Sequence, residues 1–200
     1  MGKSFSFEGL YVLDLANNHQ GDIAHGQRIV REVGEVVRKH AVRAALKFQF
    51  RDLDTFIHTD HIEKSENKHI SRFQSTRLSM DDYGELAGDV RSSGMITMST
   101  PFDEASVDAI EELEIELIKV ASCSANDWPL LERVSTCNKP VVVSTGGLQM
   151  SQIDNIVSFL QHRRVHFAMM HCVAVYPTPP DLLALNQIQA LRERYPDFVV

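Results

Sequence analysis

The sequence predicts an α/β fold of the (β/α)8 TIM-barrel kind, broken off in its seventh strand. Three observations carry that expectation. Short apolar runs alternate with amphipathic stretches along all 200 residues, the pattern of parallel strands joined by helical crossovers. The first run is not followed by the GxGxxG of a dinucleotide-binding sheet, which disfavours an open doubly wound arrangement. Polar groups stand at the carboxyl end of each of the six complete runs, where barrels of this kind keep their active sites. A full barrel takes about 250 residues, so the expected organisation is one barrel domain over 1–200, incomplete at its carboxyl end.

The first strand is read in LYVLDLA, from Leu10. Ile23–Lys39 follows as a helix, because Ile29, Val30, Val33, Val36 and Val37 share one face at i, i+3, i+4 spacing. AALKFQF, from Ala44, is the second strand. Arg51–Phe73 is polar and poorly periodic, and is read as an extended loop of the kind that often carries function. The third strand is MITMST from Met95, after which Asp103 is placed to cap a helix in EASVDAIEEL. ELIKVAS, from Glu116, is the fourth, and Pro129 suits the first turn of a helix over Pro129–Val134. PVVVSTG, from Pro140, is the fifth; Ser151 with Asp154 then has the form of a capping box ahead of Ile153, Ile156, Val157 and Leu160. The sixth is VHFAMMHC from Val165, Asp181 is placed to cap LLALNQIQALRERY, and Phe198–Val200 opens the seventh.

At 44% hydrophobic and 24% charged residues the composition is that of a soluble globular domain. No apolar stretch approaches the roughly 20 residues of a membrane span, and MGKSFSFEG lacks a signal-type apolar core. The expectation is a cytoplasmic protein with no membrane partner. Cys123, Cys137 and Cys172 form no CxxC pair and are odd in number, so they are read as reduced, buried thiols. A net charge of -7 without a basic stripe argues against nucleic acid. It leaves a small anion open, because a few local lysines and backbone amides decide that question.

The strand ends supply the candidates: Asp14, Asn17, Asn18 and His19; Lys47 and Gln49; Ser99 and Thr100; Lys119, Ser122 and Ser124; Ser144, Thr145 and Gly146; His171 and Tyr176. One strand-end lysine is ordinarily an ion-pair or snorkelling residue. Two at matching ends, with hydroxyls and glycine amides, point instead to a phosphorylated anion. His171 fits a hydrogen-bonded core histidine equally well. His58, His61 and His69 lack ligand spacing and are read as solvated, while Cys123 and Cys172, without an identifiable histidine partner, are read as small buried thiols rather than nucleophiles.

NNHQGD, KFQF, STPFDEASVD, IKVASCSANDWPLLE, KPVVVSTGG and MHCVAVYPTP, in that order, resemble the sialic acid (N-acetylneuraminate) synthase family, including its branch of spore coat polysaccharide biosynthesis protein E. The resemblance runs from Leu10 to the end of the chain. It implies a (β/α)8 barrel, commonly followed by a small antifreeze-like domain that reaches into a partner's site, and hence a homodimer when full length. The implied reaction condenses phosphoenolpyruvate with an open-chain N-acetylated amino sugar to a nine-carbon 2-keto sugar acid and phosphate. By resemblance Asp14 and Lys119 are catalytic, Lys47, Thr100, Lys119, Ser122 and Ser144 hold phosphoenolpyruvate, and Gln49 and Tyr176 line the sugar pocket. A divalent metal, Mn2+ or Mg2+, is implied as cofactor, with family histidine ligands on the seventh and eighth strands, beyond Val200. Three positions depart from the family pattern: Asp14 and Ser124 stand where glutamates are expected, and Ala174 where an asparagine is expected. Two other readings stay open, a Schiff-base aldolase using Lys119 or Lys47 and a non-catalytic ligand-binding homologue.

Overall fold

Runs rich in Val, Ile, Leu and Phe form strands buried on both faces when helices cover a parallel sheet; the second to sixth runs do so here, while the first, Leu10–Asp14, leaves Tyr11 and Asp14 exposed. The structure, a computed structural model, describes residues 5–62 and 67–200. The chain falls into two compact units, Gly9–Glu116 and Leu117–Val200, the latter joined by the segment ending at Glu8.

In the Gly9–Glu116 unit, β1 (Leu10–Asp14), β2 (Arg43–Phe50) and β3 (Ile96–Pro101) run parallel, β1 beside β2 and β2 beside β3. The register sets Asp14 against Lys47 and Gln49 against Thr100. Helix α1 (Ile23–His40) starts at Asp22, whose carboxylate accepts the His25 N–H, and ends on Arg38, Lys39 and His40, cations favoured at a helix carboxyl end. Its Gly26 and Gly34 admit close neighbours: a Cβ on Gly26 would lie 3.1 Å from Leu86 and one on Gly34 2.8 Å from Ser93.

The expected loop over Arg51–Phe73 is corrected to short helices: α2 (Leu53–Phe56), a 3-10 turn at Thr59–His61, and α3 (Lys68–Ser75). Each begins at a side-chain cap, Asp52, His58 and Asn67 respectively, so local capping supplies the order that apolar periodicity lacks. Residues 63–66 of that stretch lie outside the described residues. A further helix, α4 (Met80–Ser92), has a Ser79/Asp82 capping box and buries Leu86, Ala87 and Val90. It was not predicted, because Gly84, Gly88 and five charged residues blur its apolar stripe. α5 (Glu104–Glu112) is capped by Asp103 as expected, Oδ1 accepting the Ser106 N–H at 2.7 Å.

In the Leu117–Val200 unit, β4 (Leu117–Val120), β5 (Val141–Ser144) and β6 (Phe167–Met170) are parallel, with β5 in the middle. α6 (Trp128–Ser135) has Pro129 in its first turn. α7 (Met150–His162) is capped by Gln149 with Gln152, not by Ser151 with Asp154. Asp154 instead takes two bonds of 2.7 Å from Arg194 and one of 2.6 Å from Tyr195. Those bonds pull its carboxyl down to about 2. Asp181 does not cap the last helix either: it sits in a 3-10 turn, Pro180–Leu182, Ala184 turns left-handed at φ 47°, and α8 runs only over Asn186–Arg194. Phe198–Val200 forms no strand, but Val199 O accepts the Met169 N–H at 2.9 Å and Phe198 stacks on Phe167 at 4.4 Å, so the chain comes back along β6.

The helix-to-strand reversals share one device. After α1, α4, α5 and α7 a residue with positive φ (Ala41, Gly94, Glu114, Arg164) is followed by an apolar residue whose N–H bonds five positions back: Val42 to Val37, Met95 to Val90, Ile115 to Ile110, Val165 to Leu160, at 2.9–3.3 Å. This is the Schellman arrangement with its accompanying apolar pair.

Candidate functional site

Alternation along β2 puts Lys47 and Gln49 on one face, and the register adds Asp14 from β1 and Thr100 from β3 to that face. Lys47 is buried, and its Nζ donates to Asp14 Oδ1 at 2.9 Å; the Asp14 side chain is 53% exposed. A buried ammonium thus keeps a counter-ion that still reaches solvent. Thr100 is buried. Gln49 Oε1 accepts from Arg51 Nη2 at 3.1 Å and borders a cleft of about 530 Å³ shared with Asn17, Arg51, Tyr83, Asp108 and Glu112.

Two residues of this cleft were not predicted. The Arg51 guanidinium lies 3.7 Å from the Phe102 ring centre and 4.3 Å from that of Phe73, a cation held on aromatic faces. Burial pushes the Tyr83 phenol up to about 12. Single-sequence reading had no signal for either, since the aromatic partners come from three separate segments. His19 is wholly buried: its Nδ1 accepts the Gly21 N–H at 3.2 Å, and Nε2 meets no hydrogen-bond partner among the described residues. Burial first, and His25 second, hold its imidazole below the ordinary range.

In the other unit Lys119, at the end of β4, is buried and donates from Nζ to Val120 O at 3.0 Å and to Ser144 Oγ at the end of β5. Cys172 Sγ donates to the same Ser144 Oγ at 3.2 Å, and the Gly146 N–H donates to Ser122 Oγ at 3.0 Å. Glycine is required at 146, because a Cβ there would stand 2.9 Å from Ser122 Oγ and 3.1 Å from Cys172 Cβ. Lys119 is thus joined to Ser144 and Gly146 to Ser122, with Cys172 bonded to the first pair and beside the second. Such a set stabilises an oxyanion where desolvation makes each bond count.

Other expectations fare unevenly. Ser124 is buried in the turn Ser122–Ser124, while Tyr176 is fully exposed and Ala174, though exposed, stands beside Gly147, where an added Cβ would lie 3.4 Å from its own. His171 is half-buried, its Nε2 2.9 Å from Leu183 O, which ties it to the following loop rather than to a core. His58, His61 and His69 are exposed. Cys137 is buried, but Cys123 is exposed and Cys172 half-buried, because both of these sit in turns after strands rather than in the helix-packed layer. Among the described residues no three His, Cys, Asp or Glu stand close enough to hold a metal ion, and no helix is long and apolar enough to cross a membrane.

Strands ending in lysines, hydroxyls and a glycine amide define a class, and the comparison with known proteins gives its family: the chain belongs to the NeuB family, matched over residues 37–200. A crystal structure of spore coat polysaccharide biosynthesis protein E from Chromobacterium violaceum superimposes with a TM-score of 0.92 at 43% identity, covering 96% of this chain and 57% of that one. An uncharacterized protein of Methanocaldococcus jannaschii is 31% identical over 88% of this chain and 49% of its own length. The N-acetylneuraminate-9-phosphate synthase of Drosophila melanogaster is 28% identical over 96% and 53%. The chain thus spans about half the length of the curated relatives it matches.

Proposed function

We propose that the chain is the larger part of a (β/α)8 barrel of a phosphoenolpyruvate-dependent sugar-acid synthase, with 1–200 lying in a single barrel domain. The observation that carries this reading is the buried Lys119 bonded to Ser144, next to the Gly146–Ser122 bond. The reaction is condensation of phosphoenolpyruvate with an open-chain N-acetylated amino sugar and water, giving a nine-carbon 2-keto sugar acid and phosphate.

The enol carbon of phosphoenolpyruvate forms the new bond to the aldehyde carbon, and positive charge develops at the carbon bearing phosphate. Water adds there, and the carbon–oxygen bond to phosphate then breaks. Lys119 with Ser122 and Ser144 holds the anionic end of phosphoenolpyruvate; the assignment of Lys47 and Thr100 to phosphoenolpyruvate rests on the resemblance alone. Asp14, bonded to Lys47 yet open to solvent, takes the proton of the attacking water. The assignment of Gln49 and Tyr176 to the amino sugar rests on the resemblance alone. The residues described here do not by themselves make a site for the Mn2+ or Mg2+ implied by the resemblance, so no step is assigned to it. The protein is expected to work in the cytoplasm as a homodimer, without nucleic acid or membrane.

Lys119→Met tests the reading. Phosphoenolpyruvate is expected to raise the melting temperature of the intact protein, and the substitution, which removes charge-assisted bonds, is expected to weaken its affinity by about 10- to 100-fold. Absence of any stabilisation of the unaltered protein would sink the proposal. An aldolase would instead be trapped by borohydride with a keto substrate.

A further inference from the structure

We propose that the amino-terminal ends of β5 and β6 carry a second anion site, which takes a small phosphorylated dianion. The loops entering these strands enclose a cavity of about 250 Å³ lined by Lys139, Arg163, Arg164 and His166, with Asn138 and Phe5 at its border. Four basic side chains converge there, and among the described residues no carboxylate lines the cavity. In a chain with 27 acidic and 20 basic residues, that clustering runs against the overall charge and makes a local positive field.

The groups divide into fixed and available ones. Arg163 is ion-paired to Glu132, which lies outside the lining, and His166 Nε2 is 2.6 Å from Phe5 O. A carbonyl only accepts, so Nε2 carries the proton and the ring is held in one orientation. The side chains of Lys139 and Arg164 make no hydrogen bond or ion pair with any described residue. Two fixed groups beside two available cations suit a compact anion of charge two. The volume is below the roughly 300–1,000 Å³ of sites for larger ligands, so the ligand is free phosphate or a phosphate ester of a few carbons.

This site is separate from the Lys119 cluster. Lys139 precedes β5 and Ser144 closes it, a span of about 16 Å at the rise of an extended strand. The inference does not depend on the proposed reaction.

Equilibrium dialysis of the intact protein with radiolabelled inorganic phosphate tests it. Two sites are expected in the unaltered protein. Lys139→Gln with Arg164→Gln is expected to weaken one of them at least tenfold, with the far-ultraviolet circular dichroism spectrum unchanged, while Lys119→Met spares that one. A protein with a single site that disappears in the Lys139/Arg164 variant would uphold this inference and count against the Lys119 reading. Unchanged phosphate binding in the Lys139/Arg164 variant would overturn it. So would displacement by chloride at matched ionic strength. Glycerol phosphate displacing the label at lower concentration than phosphate would identify an ester as the ligand; the reverse order would identify free phosphate.

Discussion

An alanine at position 146 would bring its Cβ to 3.2 Å from the backbone oxygen of Cys172 as well as against Ser122, and a backbone atom cannot swing aside. Gly146→Ala is therefore expected to lose about 1–3 kcal/mol of stability through overpacking and to weaken phosphoenolpyruvate binding, both read from denaturant titrations with and without ligand. Unchanged stability would show that the turn yields more easily than its contacts imply. His19 makes a second prediction. Its folded imidazole lies below the ordinary value, so the unfolded chain binds the extra proton first. The stabilising contribution is complete above about pH 6.5, the unfolded value, and declines as pH falls through it toward the lowered folded value. In His19→Asn, whose amide oxygen replaces the Nδ1 acceptor, that decline between pH 7.5 and 5.5 is expected to shrink; an identical urea-midpoint profile would refute the assignment. At this scale charged and hydroxyl groups at strand ends could be named from the sequence because strand ends are locally marked. Lys47, Lys119, Thr100 and Ser144 are all buried. Sequence reading failed for Arg51 and Tyr83, whose setting is made by rings distant in sequence, and it placed no exposed tyrosine at 176.

The elements that could be read in advance are those whose signal is local. Six strands announce themselves as β-branched and aromatic runs, and α1 as a valine stripe. Helix α4 was missed because its burial comes from packing on α1, where Gly26 and Gly34 make room, rather than from its own sequence. The cap of α7 was misplaced because Gln149 and Gln152 do the work usually given to serine and glutamate. The reversals lead to a stability prediction. Ala41 and Glu114 hold φ of 49° and 53°, a conformation costing an L-residue about 1–2 kcal/mol. Glycine avoids that cost but loses more entropy on folding. Ala41→Gly and Glu114→Gly are each expected to gain about 0.5–1 kcal/mol, and a loss at both sites in chemical denaturation would contradict the strain account.

For the molecule as a whole, a parallel α/β architecture was legible from alternation alone, while its extent was not, because Phe198–Val200 offers only three residues of pattern. Beyond the bond from Met169 to Val199, the Leu117–Val200 unit exposes Met170, Val175, Leu182 and Leu185, the last at 61%. Residues 1–200 produced alone are expected to self-associate through that surface; a monodisperse monomer in size-exclusion chromatography with light scattering would argue otherwise. The helix-to-strand reversals bear on how such a chain comes together. Parallel neighbours require a long crossover before any ladder bond can form. Each reversal, by contrast, closes on residues five apart, Val37 to Val42 and Leu160 to Val165 among them. Its hydrogen bonds need nothing that a ribosome delivers later than the reversal itself.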